Sequence, residues 1–93
     1  MITQEIIFEK IKNILSVSYP SANITMDTYL EINEGSYLDM SSLELVQFII
    51  ELEETFNIII DLDDRFYTIG DAVRGVIKYL EEKNEENSDE FGL

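Results

Sequence analysis

Ninety-three residues suffice for one domain around one core, and a hydrophobic share of 45%, with five Tyr and five Phe, rules out disorder by composition. The chain has neither Cys nor His, which excludes a disulfide framework, a thiolate metal site and a nucleophilic thiol, and removes the commonest general base. A formal charge of −14, from 20 Asp and Glu against 6 Lys and Arg, disfavours nucleic acid and anionic membrane surfaces as partners. The placement of that charge is more telling than its size. Asn13 to Asp64 contains eleven acids and no Lys or Arg, so these acids lack basic neighbours along the chain. The surface is either simply solubilising or it steers the protein towards basic partners. No apolar run reaches membrane length and no secretory leader follows Met1, so a cytoplasmic location is expected.

In chain order, the first helix is expected from about Gln4 to Val17. Thr3 is the N-cap, and Ile2 and Ile7 form a hydrophobic staple across it. Ile7, Ile11, Ile14 and Leu15 supply its core row, and Pro20 bars continuation after Ser18-Tyr19. Residues 21–40 lose clear period and form a long loop. Ile24, Met26, Tyr29, Leu30 and Ile32 are expected to tack it onto the bundle, with Asp27 capping a short helical turn. Gly35 suits a turn before Tyr37-Leu38 re-enter the core.

The second helix carries its start signal intact. Ser41 is an N-cap, and Glu44 three residues on completes a capping box. Ser42 then occupies the first helical position, beside the positive end of the helix dipole. An anion attached there gains roughly 0.3–1 kcal/mol from that dipole. Leu45, Phe48, Ile49, Leu52 and Phe56 share the core face, and Glu44, Gln47, Glu51 and Glu54 form a polar stripe. Leu43, Val46 and Ile50 make a further apolar row, either a widened core stripe or an exposed strip for a partner or a bound chain.

Asn57-Ile58-Ile59-Ile60 is short and apolar. It reads as a buried connector, since a lone strand has no partner in a helical chain. Asp61-Leu62-Asp63-Asp64 lacks the alternating acids, central Gly and distal Glu of a calcium loop, so it is read as an acidic helix start. Phe66 and Tyr67 are core candidates. The last helix begins near Thr68, where Thr68 and Asp71 imitate a capping box. Val73, Val76, Ile77 and Leu80 are its buried row, and Gly75 costs roughly 0.5–1 kcal/mol there unless close packing requires it. The expectation is an all-α fold: a small four-helix bundle of three main helices and one short one. The domain would span residues 1–80, with an acidic, frayed tail over 81–93.

Ser42-Leu43, Val46-Gln47 and Leu52-Glu53-Glu54-Thr55-Phe56 stand at the spacing of the second helix of acyl and peptidyl carrier proteins, and the chain from Thr3 to Leu80 resembles that family throughout. Two positions depart from the family motif: Ser41 replaces its Asp, and Gln47 its Glu. The resemblance implies a free-standing, monomeric acyl carrier and not an enzyme. A phosphopantetheinyl transferase would attach 4′-phosphopantetheine, taken from coenzyme A, to Ser42. The arm would hold an acyl group as a thioester for fatty acid or polyketide enzymes with basic docking patches. Leu43, Glu44, Val46, Ile50, Glu51, Glu53 and Glu54 would face those partners, and Ser41 would cap the helix. An aminoacyl or peptidyl carrier of a nonribosomal pathway is the alternative within the family. An unmodified acidic adaptor binding a basic partner is the alternative outside it.

Overall fold

Local start signals set the positions of all three helices. In the computed structural model, which describes residues 3–91 with side chains to Lys83, α1 spans Gln4–Ser18, α2 Ser42–Phe56 and α3 Ile69–Phe91. Thr3 Oγ1 accepts the Ile6 N–H at 3.2 Å to open α1. The expected staple partner Ile2 lies outside the described residues, as does part of the expected tail. At the start of α3, Asp71 N–H donates to Thr68 Oγ1 at 3.1 Å, and the Asp71 carboxylate accepts the N–H groups of Thr68 and Tyr67 at 3.2 and 2.9 Å. This is the box expected from Thr68 and Asp71. At the other end of α2, Asn57 takes a left-handed conformation (φ 54°), which Asn tolerates better than most residues.

The fold is all-helical, and α3 packs on both α1 and α2. Ile11, Leu52, Ile69, Val73 and Val76 are fully enclosed, each contributing roughly 1.5–3 kcal/mol by leaving water. Ile14, Ile77 and Leu80 are only partly buried at the margin of this core.

A small backbone network in the connection from α1 to α2 sets the geometry of the rest. Leu30 N–H donates to Tyr67 O, Ile69 N–H to Thr28 O and Gly70 N–H to Met26 O, at 2.8–2.9 Å. Tyr29 N–H bonds Ser36 O, while Leu38 N–H and Met40 N–H return to Tyr29 O and Leu30 O, each at 2.9 Å. Three extended pieces thus lie side by side, each too short to be a strand. Thr28 is buried at their centre, and its hydroxyl accepts the Thr25 N–H at 2.9 Å. Ile24, Leu30, Leu38 and Met40 anchor the segment in the core.

Several expectations for these connections are corrected. Ile32 is exposed and does not tack the loop down, and of Tyr37-Leu38 only Leu38 re-enters the core, since successive side chains of the extended piece paired with Tyr29 point to opposite sides. The turn at Met26-Asp27 is held by Thr25 and Thr28 and is not capped by Asp27. Gly35 sits at φ +99°, as a turn glycine. Between α2 and α3 the expected short helix is replaced by a single turn. Asp61 O accepts the Asp64 N–H at 3.0 Å, and Asp61 Oδ1 takes the Asp63 N–H at 2.9 Å. This is the contact of a helix cap, but the chain leaves the turn for extended backbone, where Tyr67 O accepts the Leu30 N–H, and no helix follows before α3. Ile58 and Ile60 are buried with Ile59 outward, an alternation that suits extended chain. Phe66 is buried, but Tyr67 is exposed.

Candidate functional site

The start of α2 is built from three consecutive devices. Asp39 adopts a left-handed backbone (φ 61°) that turns the chain. Met40 plugs the core, and its N–H is tied to Leu30 O. Ser41 is then extended (φ −74°, ψ 168°) and caps the helix, its Oγ accepting the Glu44 N–H at 3.2 Å while its own N–H donates to Glu44 Oε1 at 3.2 Å. The capping box read from Ser41 and Glu44 is formed in full.

Ser42 is the first residue of the helix and is exposed. Among the described residues its hydroxyl makes no hydrogen bond, and the N–H groups of Ser42 and Leu43 have no acceptor. A free hydroxyl therefore stands beside two free backbone donors at the positive end of a helix dipole. The two serines are chemically distinct: the Ser41 oxygen is engaged by the cap, whereas that of Ser42 is available.

Glu44 has a second partner that the sequence did not reveal. The hydroxyl of Tyr19, at the end of α1, donates to Glu44 Oε2 at 2.8 Å. That bond, with the bonds from Ser41, holds the Glu44 carboxyl below its usual range. Partial burial, the bond to Glu44 and the charges of Glu44 and Asp39 push the Tyr19 phenol up to about 12. Tyr19 is thus protonated, and a donor, at any physiological pH. Nothing in local spacing pairs a tyrosine at one helix exit with a glutamate 25 residues away.

Leu43, Val46 and Ile50 are 67%, 55% and 47% exposed, so the row flanking the serine is a surface strip and not a widened core. Phe48 and Leu52 are buried, with Leu45, Ile49 and Phe56 partly so. Among the acids, Glu51 and Glu54 are exposed, whereas Glu53 is half-buried and accepts the Ile60 N–H at 2.9 Å. Glu44 and Glu53 are thus structural acceptors as well as charges. A groove of about 380 Å³ runs between α1 and α2, floored by Leu15, Met40 and Phe48 and rimmed by Glu44, Glu51 and Glu54. On the opposite side of α2 a smaller groove of about 190 Å³ lies among Leu45, Ile49, Leu62, Arg65 and Tyr67. Ser42, Leu45 and Ile49 follow helical spacing and share that face. Among the described residues no acidic cluster is arranged to hold a metal ion, and no helix is long and apolar enough to cross a membrane.

Comparison with known proteins agrees with this geometry. The chain is 31% identical over 80 residues to proteins named acyl carrier protein from Streptococcus pyogenes serotype M1, serotype M18 (strain MGAS8232) and serotype M3 (strain ATCC BAA-595 / MGAS315). Each match covers 84% of this chain and 96% of the relative. No family model matches the chain, and no solved structure does. An all-helical chain with an open serine at a capped helix start, matched over nearly the full length of these relatives, belongs to the acyl carrier protein family.

Proposed function

We propose that this protein carries an acyl group as a thioester on a 4′-phosphopantetheine arm esterified to Ser42, and passes it between enzymes of fatty acid or polyketide type. The single observation that carries this reading is the state of Ser42: exposed, first in a capped helix, its hydroxyl free while its neighbour Ser41 serves the cap. The prosthetic group fits the residues present. The free N–H groups of Ser42 and Leu43 are donors suited to a phosphodiester at that hydroxyl, and the surface around it is open. When bound, the group supplies a terminal thiol on a flexible tether, which raises the local concentration of its load at each enzyme.

The chain itself orients and presents. Ser41 and Glu44 fix the helix start and therefore the direction in which the Ser42 hydroxyl leaves the surface. Leu43, Val46 and Ile50 offer an apolar strip beside it, and Glu51 and Glu54 add negative charge for enzymes with basic docking patches. Docking of this kind is salt-sensitive and short-lived, as a shuttle requires. The groove bounded by Leu45, Ile49 and Leu62 lies on the serine's face of α2 and offers an apolar wall beside the arm, with Glu31, Asp64 and Arg65 also in its lining. A member of this family is a carrier and not an enzyme, and we read this one as a cytoplasmic monomer served by a phosphopantetheinyl transferase.

The test is intact mass after incubation with coenzyme A, magnesium and a broad-specificity phosphopantetheinyl transferase. One added phosphopantetheine is expected on the natural chain and on Ser41→Ala, and none on Ser42→Ala. Modification lost in Ser41→Ala but kept in Ser42→Ala would move the attachment to Ser41. No modification of the natural chain would favour an unmodified acidic adaptor.

A further inference from the structure

We infer that Tyr19 is a positioning residue for loading at Ser42, acting through Glu44; the inference rests on the carrier reading above. Glu44 is where two otherwise separate parts of the molecule meet. Its Oε1 accepts the Ser41 N–H and so completes the cap, and its Oε2 accepts the Tyr19 hydroxyl from the far end of α1. An exposed glutamate held only by one backbone N–H keeps several rotamers, and each one that leaves Ser41 opens the box. The second anchor removes that freedom. It fixes the carboxylate, the carboxylate fixes Ser41, and Ser41 is bonded directly to the residue to be modified.

The surroundings make this anchor necessary and durable. No Lys or Arg occurs from Asn13 to Asp64, so no neighbouring cation in that stretch is available to hold Glu44. The phenol remains a donor because burial and the nearby carboxylates resist its ionisation. Pro20 follows directly, and Tyr19 N–H is fixed to Leu15 O at 2.8 Å, so the ring is presented from a rigid corner. Tyr19 also lies in the wall of the α1–α2 groove, where a docking enzyme would meet it.

The experiment compares Tyr19→Phe, which removes one oxygen, with the natural chain and with Tyr37→Phe, a control at an exposed tyrosine. Two quantities are read: kcat/KM for arm transfer by one transferase, and hydrogen-exchange protection of the Glu44 and Leu45 amides. In Tyr19→Phe both are expected to fall, by roughly two- to tenfold, the range of one hydrogen bond in water. Tyr37→Phe is expected to change neither. In a Glu44→Ala background, adding Tyr19→Phe is expected to cost nothing further, because the route through Glu44 is already gone. Loss of protection with an unchanged transfer rate would make the contact purely structural and overturn the inference. Equal loading and equal protection would overturn it as well. Failure of the natural chain to load at all would remove the carrier reading, and this role with it, whatever the amides show.

Discussion

The ring of Phe66 lies so close to Gly75 that a Cβ at position 75 would sit 2.5 Å from its Cε1 and Cζ atoms. A mid-helix glycine that would cost stability elsewhere is required here. Gly75→Ala improves helix propensity by about 1 kcal/mol, but Phe66 is buried and cannot move freely. Overpacking of this kind costs roughly 1–3 kcal/mol. The variant is expected to be less stable in urea denaturation, and the double variant Gly75→Ala/Phe66→Leu to recover part of the loss.

Asp39 holds a left-handed backbone at φ 61°, which an L-residue adopts at a cost of roughly 1–2 kcal/mol, less for Asp and Asn. Asp39→Gly removes that strain and one negative charge, at the expense of a more flexible unfolded chain. A net gain of about 0.5 kcal/mol is expected, and Asp39→Val should lose more than 1 kcal/mol. Thermal melts of the three proteins at one ionic strength check the order.

Acid should separate Asp71 from the remaining carboxylates. Partial burial alone would raise its pKa, but the N–H groups of Tyr67 and Thr68 and the Arg74 guanidinium, 3.0 Å away, outweigh burial and hold it below the usual range. A carboxyl depressed in the folded state adds stability that is complete above the unfolded value of about 3.9 and is lost as pH falls through the folded value. Asp71→Asn is expected to be about 1–2 kcal/mol less stable at pH 7. The gap should hold at pH 5 and close below about pH 3.9 as the natural carboxyl protonates. Urea midpoints at pH 7, 5 and 3 measure it.

Added salt should stabilise the whole molecule. Among the described residues the ion pairs are Asp71–Arg74 and Asp64–Lys78, and neither reaches the acids from Asp27 to Glu54. Their mutual repulsion is screened over about 8 Å at 0.15 M salt. Relief of 1 kcal/mol corresponds to about 4–8 °C at this size. The melting temperature is therefore expected to rise by several degrees between 10 mM and 300 mM sodium chloride, on the order of one such increment. Millimolar magnesium should act in the same direction.

The legible parts of the sequence were those in which cause and effect lie within four residues. Thr3, the Ser41–Glu44 box, the Thr68–Asp71 box and Gly35 each appear as read, because caps and turns are local chemistry. The core face of α2 followed from its spacing for the same reason. Spacing leaves Leu43, Val46 and Ile50 open, since periodicity gives a direction around a helix and not what stands there. Ile32, Tyr37 and Tyr67 were misjudged because irregular backbone has no period from which to infer an inward side. The Tyr19–Glu44 bond, and the links from Tyr79 to Asp64 and from Lys83 to Asn57 O, join residues far apart in sequence and left no mark on it. The expected short helix has its cap contact at Asp61 but does not continue, because Tyr67 O is taken by Leu30 N–H, a partner far away in the chain that local spacing does not show.

The pairing of Leu30 with Tyr67 and of Thr28 with Ile69 joins the first connection to the entrance of the last helix, across about forty residues. Simple helical bundles assemble from contacts between near neighbours and form in microseconds to milliseconds. Here the ends of a long segment have to meet before those bonds exist, a step with an entropic barrier that helix formation does not lower. Refolding should accordingly be slower than helix content suggests, and weakening the Thr28 junction should retard the folding limb of the chevron more than it accelerates unfolding.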